Sequence, residues 1–330
     1  MLRLPSFQYF QPKDVRAAAN ILAQEGPKAT VVAGGTDLWA KMKRRQIEPE
    51  MVVGLRHLEE LRRFEVTADG GLILGANLTL HELERHPHLL QHYPALASAA
   101  HSISSPPLKT VGTLGGNLCV DTRCNYYDQT YEWRKSIDFC MKKDGEICWV
   151  APGSPRCWAV SSTDLAPVML ALGAQIHLVS SDGERMLDAN DFYQHDGIAY
   201  LNKRHDEIVT DVRLPAVHGD LMIFKKLRRR GSIDFPILNV AVWIRPDPSR
   251  RVCEDVRIAI GAVTSRPLLA EEARQALLGK PLVPETIEAA AQKAYRVCKP
   301  MDNTDLHFSW RHKMVSVWVS RALEELQASF

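Results

Sequence analysis

The chain has 330 residues, 45% of them apolar and 24% charged, in the usual range for soluble globular proteins. That balance excludes a disordered chain, a collagen-like fibre and a small disulfide scaffold. Forty-one basic residues against 39 acidic ones leave a formal charge of +2, which gives no electrostatic case for nucleic acid or a membrane surface. No window of about 18 uncharged apolar residues predicts a membrane span, and Met1 to Phe10 hold no apolar stretch behind a basic flank. No export signal is read there, and a cytoplasmic location is expected.

In chain order, a short strand-like start gives way at Pro12 to a helix expected over 14–24, with Val15, Ala18, Ala19 and Leu22 at helical spacing. Gly26-Pro27 ends it. A strand over 30–33, a glycine turn, a helix over 38–45 and a strand over 51–53 complete a small α/β lobe, residues 1–55. A second lobe, 56–220, opens with strands over 64–67 and 72–75 around Asp69-Gly70-Gly71. Helices over 79–85 and 94–100 follow, the first with Thr79 and Glu82 at capping-box spacing. A second glycine turn leads into a cysteine-rich segment, 118–158, which interrupts this lobe. The lobe resumes with a helix from Asp164, a strand over 175–179 and a strand over 207–213. A third block, 221–330, reads as strands over 222–227, 236–244 and 252–260, then helices over 270–277, 284–297 and 307–327. Strands followed by helices make the fold class α+β.

The two glycine turns are Val31-Val32-Ala33-Gly34-Gly35-Thr36-Asp37-Leu38 and Gly112-Thr113-Leu114-Gly115-Gly116-Asn117. Successive amides in such turns, next to a helix start, form an anion site. Neither has the G-x-G-x-x-G or the P-loop spacing, so neither fingerprint applies. Either turn alone reads as an ordinary tight turn; the two together suggest a diphosphate held from two sides.

Seven cysteines and no export signal argue against a disulfide framework. Four of them, Cys124, Cys140, Cys148 and Cys157, fall in a turn-rich segment with no sustained period, and Cys119 lies just upstream. So long an irregular stretch needs something to pin it. Four thiolates on one metal centre would do so, under an apolar shell from Tyr126, Tyr127, Tyr131, Trp133, Phe139, Trp149 and Trp158. The spacing matches neither paired zinc-module cysteines nor the tight ferredoxin run, so zinc, iron–sulfur and four unrelated buried thiols all stay open. The histidines at 81, 86, 88 and 92 read as surface groups, and the basic run 225–230 as mainly a solvated face. Neither G-x-S-x-G nor H-E-x-x-H occurs. Diphosphate turns and a thiol-rich loop, without an acid–base constellation, point to electron carriage by cofactors.

Ala33-Gly-Gly-Thr-Asp-Leu38, Thr113-Leu-Gly-Gly-Asn117 and Thr163-Asp-Leu-Ala-Pro-Val168 occur in that order, and Phe224-Lys-Lys-Leu and Asp234-Phe-Pro follow. With these motifs the chain resembles the FAD-binding subunits of the molybdenum hydroxylases over nearly its whole length. The resemblance implies an FAD-binding portion of two α/β subdomains, similar to those of vanillyl-alcohol oxidase (the PCMH type). It also implies a C-terminal α+β domain with an antiparallel sheet and helices. The cysteine insertion and its flank, Asn117-Leu-Cys-Val-Asp-Thr-Arg-Cys124, resemble the beta subunit of 4-hydroxybenzoyl-CoA reductase most closely.

That resemblance implies an oxidoreductase subunit carrying FAD and a [4Fe–4S] cluster, the cluster held by Cys124, Cys140, Cys148 and Cys157. The backbone from Val31 to Leu38 would wrap the diphosphate from one side and Gly112 to Gly116 from the other, with Asn117 bracing the second turn. Asp164 would take the ribose or adenine end, Lys226 would meet the flavin, Ile103 would pack on the cofactor and Asn125 would contact it. The implied partners are a molybdopterin-binding large subunit and a small subunit with [2Fe–2S] clusters, in a heterotrimer that dimerises, with ferredoxin or NAD(P) as external carrier. The expected role is electron transfer in an aromatic acyl-CoA reductase. The alternative is an oxidative hydroxylase of the xanthine or carbon monoxide dehydrogenase kind, its cysteine loop holding structural zinc or no metal.

Overall fold

The structure is a computed structural model that describes residues 2–330. Three sheets divide it. In the first, Gln8–Phe10 and Ala29–Val32 flank Met51–Gly54, and both pairings are parallel. Parallel neighbours need a crossover, and the helix Val15–Glu25 supplies the first one. Its N-cap is Asp14, whose side chain accepts from the Ala17 amide at 2.6 Å. Its buried stripe is Val15, Ala18, Ala19 and Leu22, and Gly26 stops it at φ 56°. The helix Leu38–Lys43 supplies the second crossover.

The second sheet is antiparallel, in the order Phe64–Val66, Leu72–Gly75, Ile208–Leu214, Gln175–Val179, Glu184–Asp188. Thr79 and Glu82 form the capping box of the helix Leu80–Arg85. The helix Leu165–Leu172 is buried at every position and ends at Gly173 in the left-handed region, φ 69°. It is wedged between this lobe and the third sheet, which explains why its sequence shows no polar face.

The third sheet is antiparallel, in the order Leu268–Leu269, Cys253–Gly261, Leu238–Pro246, Leu221–Leu227. The strand Leu238–Pro246 serves two cores at once. Leu238, Val240, Val242 and Ile244 pack in the core that also holds side chains of the helices Glu271–Leu277, Pro284–Val297 and Phe308–Gln327. Ala241 and Trp243 point the other way, into the core of the second lobe. Alternation on a strand normally separates core from solvent; here it separates two cores, so the strand reads as a continuous apolar run.

The α+β class expected from the sequence is present. The edge strand Glu184–Asp188 and the short helices Pro87–His92 and Pro106–Lys109 were not foreseen. The strand lacks a clean alternation, and each helix has fewer than two turns and is opened by proline, below the length at which periodicity can be read. No helix among the described residues is long and apolar enough to cross a membrane.

Candidate functional site

A cavity of about 670 Å³ opens between the first and second lobes, with residues 233–235 of the third block at its edge. Both glycine turns line it, and the fold presses them together. A Cβ on Gly34 would stand 2.0 Å from the Val111 carbonyl oxygen, on the backbone that enters the second turn. Gly35 sits at φ 74°, with the Trp39 indole nitrogen 2.1 Å from where its Cβ would be. Among the described residues no acceptor takes the N–H groups of Gly34, Gly35, Thr36 or Asp37. Unpartnered amides at a turn that admits no Cβ suit a phosphate oxygen.

The second turn is tied from below. The Leu114 amide donates to the Leu78 carbonyl at 2.9 Å and the Gly115 amide to that of Ala76 at 2.8 Å. Thr113 caps the helix Leu114–Leu118, its hydroxyl accepting from the Gly116 amide at 3.1 Å. Asn117 braces the turn through its carbonyl oxygen, which accepts from the Thr163 hydroxyl at 2.9 Å and from the Leu165 amide at 3.1 Å. One side chain therefore joins the second turn to the start of the helix Leu165–Leu172.

Most of the residues singled out in the sequence meet at this cavity: Val31, Val32, Ala33, Gly34, Gly35, Thr36, Asp37, Leu38, Ile103, Gly112, Thr113, Gly115, Gly116, Asn117 and Asp164 all line it. Three lie elsewhere. Leu114 is fully buried in the core of the second lobe, on the same helix face as the equally buried Leu118 one turn on. Asn125 is exposed beside the cysteine segment, and its amide donates to the Asn303 carbonyl. Lys226 faces the junction of the second lobe and the third sheet, where its ammonium pairs with Asp164 at 2.8 Å and donates to the Ser102 carbonyl at 3.2 Å. Asp164 is held by Lys226 and Asn239 as well as facing the cavity, and burial raises its carboxyl despite both. Lys41, Asp121, Arg123, Tyr200 and Lys203 also line the cavity and carried no local signal. Arg123 ties three regions together: it pairs with Asp37 of the first turn and with Asp128 of the cysteine segment, and stacks over Phe235 at 4.0 Å.

The cysteine segment is turns around one short helix, Tyr131–Ser136. It brings Cys124, Cys140, Cys148 and Cys157 into one buried neighbourhood packed with Tyr126, Tyr127 and Trp149. Tyr131 and Trp133 stand 41% and 39% exposed, so they form no part of the shell expected from the sequence. Among the described residues no group of three or more His, Cys, Asp or Glu is arranged to hold a metal ion. The quartet is therefore not a ready-made single-ion site, against the expectation of four metal ligands.

Its surroundings favour negative charge at Cys148 and disfavour it at the other three sulfurs. The Ala159 amide donates to the Cys157 sulfur at 3.4 Å, while the amides of Lys143 and Ala151 donate to the carbonyls of Cys140 and Cys148. Cys148 is held down at about 5, first by the Cys157 thiol donating to it; Cys157 is pushed up by the same bond and by burial. Burial raises Cys124 to about 12 and also raises Cys140. Arg134 has no exposed surface; its Nη1 lies 3.6 Å from an oxygen of Asp144, its Nη2 donates to the Arg45 carbonyl at 2.9 Å, and its charge acts on Cys140. A buried guanidinium is costly unless an anion faces it, and Asp144 supplies that anion here. With three thiols raised and Arg134 paired to Asp144, the donor set singles out no bound metal centre.

A cavity with two opposed glycine turns, in two α/β lobes followed by an antiparallel sheet with helices, defines a nucleotide-binding class of protein. The chain belongs to the family described as the FAD binding domain in molybdopterin dehydrogenase, which matches residues 5–217; residues 222–326 match the CO dehydrogenase flavoprotein C-terminal domain. It is 27% identical over 321 residues to the carbon monoxide dehydrogenase medium chain of Hydrogenophaga pseudoflava, covering 97% of this chain and 96% of that one. It is 32% identical over 288 residues to the aldehyde oxidoreductase FAD-binding subunit of Escherichia coli (strain K12), covering 83% and 87%. The crystallised carbon monoxide dehydrogenase from Hydrogenophaga pseudoflava superposes with a TM-score of 0.80 at 26% identity, covering 98% of this chain and 97% of that one. The chain is thus an FAD-binding oxidoreductase subunit of the molybdenum hydroxylase type.

Proposed function

We propose that this chain is the medium, electron-transferring subunit of an oxidative molybdenum hydroxylase-type complex. In this reading it works with a molybdopterin-binding large subunit and a [2Fe–2S] small subunit, in a heterotrimer that dimerises. Electrons leave the substrate on the large subunit, reach this chain, and pass to an external carrier such as NAD(P) or ferredoxin. The observation that carries the reading is the pair of opposed glycine turns with free amides on the first. The dehydrogenase name of one relative supports the oxidative direction.

When bound, FAD accepts electrons singly or in pairs and so joins two-electron carriers to one-electron centres. The chain's own residues supply the grip. Amides of Gly34 to Asp37 would hold the diphosphate, Gly112 to Gly116 would close on it, and Asn117 would keep the second turn from opening. Ile103 would cover the cofactor on an apolar side, and Asp164 would meet a hydroxyl of the nucleotide. The test is reconstitution of the purified chain. One FAD per chain, lost in Gly35→Val, is the expected result; a chain that takes up no flavin sinks the reading.

A second reading rests on the cysteine segment. In it the quartet carries a [4Fe–4S] cluster, as in the resemblance to the 4-hydroxybenzoyl-CoA reductase beta subunit, and the complex runs reductively on an aromatic acyl-CoA. The gathering of the four thiols in one buried neighbourhood, with the Arg134 and Lys142 charges acting on Cys140 and Cys157, supports this reading. Hydrogen bonds to sulfur and buried charge are what tune such clusters. Four irons with acid-labile sulfide per FAD are expected in this reading; iron-free protein with or without zinc leaves the oxidative one.

A further inference from the structure

The cavity and the cysteine quartet are joined by a line of buried charge. Asp37, in the first glycine turn, lies 3.4 Å from the Lys41 ammonium. Lys41 donates to Oδ2 of Asp121, a residue that also lines the cavity. The other oxygen of Asp121 accepts from the Lys142 ammonium at 2.6 Å. Lys142 follows Cys140 by two positions, and it also donates to the Gly197 carbonyl at 2.6 Å and to the Thr122 hydroxyl. Gly197 is pressed on the quartet: its amide donates to the Cys157 carbonyl at 3.0 Å, and a Cβ there would stand 2.7 Å from the Cys157 sulfur. Both ammonium groups face the Tyr127 ring, at 5.6 and 4.9 Å from its centre.

The side chains of Lys41 and Lys142 are 5% and 6% exposed and that of Asp121 is 15%. Charges this deep are poorly screened by salt and felt over longer distances than surface pairs. Two lysines and two aspartates cancel, so the line is neutral as a whole, and altering one member exposes the next to both ends. A structural pin alone would need one ion pair. Here one carboxylate is shared between a lysine at the nucleotide turn and a lysine at the thiols.

We propose that Asp121 is a positioning residue that couples the nucleotide cavity to the cysteine centre through Lys41 and Lys142, so that charge gained at either site changes affinity or potential at the other. The proposal rests on the FAD reading of the cavity and deepens it; it does not require that the centre hold iron. Coupling of this kind is reciprocal and typically 5- to 150-fold.

The test uses the full chain with FAD, comparing wild type with Lys142→Met, Lys142→Arg, Asp121→Asn and the double variant Asp121→Asn/Lys142→Met. FAD affinity and the flavin midpoint potential are read by spectroscopic titration, with iron, zinc and sulfide assayed on each sample. Lys142→Met leaves Asp121 half-compensated beside an anionic cofactor. It is expected to weaken FAD binding about fivefold or more and to lower the flavin potential, and Lys142→Arg should restore both. In the Asp121→Asn background the Lys142→Met change should have little further effect on either quantity. Where a metal centre is present, its own potential should fall in Lys142→Met as well. Additive effects of the two substitutions, or a flavin potential unmoved by Lys142→Met in protein that folds and binds FAD, overturn the proposal. A wild-type chain without flavin fails the FAD reading instead, and an iron-free chain fails only the cluster reading, because the flavin measurements still decide the coupling.

Discussion

The nucleotide cavity and the cysteine segment stand side by side and are built on opposite plans. The cavity is made by backbone: two glycine turns at the ends of regular elements, where what matters is the absence of Cβ and the freedom of N–H groups. The cysteine centre is made by side chains on 34 positions of turns, held by contacts to distant parts of the chain such as Arg134 to the Arg45 carbonyl at 2.9 Å. A backbone-built site is specified locally and tolerates change around it. A side-chain site on a loop depends on each contact that pins the loop.

The sharpest break in this comparison is Gly35→Val. A β-branched side chain at φ 74°, with Trp39 in its way, has no place to go without moving the turn. The expected outcome is loss of bound flavin, read as loss of absorbance in the visible range, with the fold of the cysteine segment retained. The mirror experiment is Cys140→Ser. Whatever metal the quartet carries should fall to background while FAD stays near one per chain, because the two sites share no ligating residue. Joint loss of both from either single substitution would show that the sites are one unit, and the contrast drawn here would fail.

A smaller effect is expected from Asn117→Ala. It strands the Thr163 hydroxyl and the Leu165 amide without their acceptor, at a cost of about 1–3 kcal/mol. Denaturant unfolding should show the loss in stability, and flavin release should quicken because the second turn is no longer tied to the helix Leu165–Leu172. Unchanged flavin release with reduced stability would confine Asn117 to a structural role.

The contrast also explains what could be read in advance. Gly34, Gly35, Gly115 and Gly116 announce themselves because a turn with special φ or close approach must be written with glycine at fixed local spacing. Thr79 and Glu82 are legible for the same reason: a capping box is written by two residues three positions apart. The clustering of four cysteines was visible as composition. Their counter-charges were not: Arg134 and Lys142 look like any basic residue on a loop, and Asp121 meets Lys41 across 80 positions. Lys226 shows the converse case. Its place in a motif suggested a flavin contact; the strand it sits on turns it toward Asp164, which itself lines the cavity, and that direction follows from the register of the strand, Lys226 opposite Asn239. Side chains that act through long-range pairs leave no local pattern.

The smallest predicted effect lies away from both sites, in the five-stranded sheet, and gauges how much of the pH dependence belongs to the scaffold. His177 Nδ1 lies 2.8 Å from Asp211, and its Nε2 lies 3.3 Å from Glu184. The bond to Asp211, ahead of the opposing effect of burial, raises the imidazole above its ordinary 6.5. A raised histidine binds its proton more tightly in the folded chain, so its contribution is complete below pH 6.5 and is lost as pH climbs through the higher folded value. Asp211 is opposite: burial would raise it, but His177 and its other partners hold it below 3.8, so its share is lost as pH falls through that lower value. Wild type should therefore be more stable than His177→Gln by a margin that is widest between about pH 4 and 6.5 and narrows toward pH 9. Thermal melts of both proteins across that range measure the margin, and one that grows with pH would mean that the imidazole is neutral in the folded sheet.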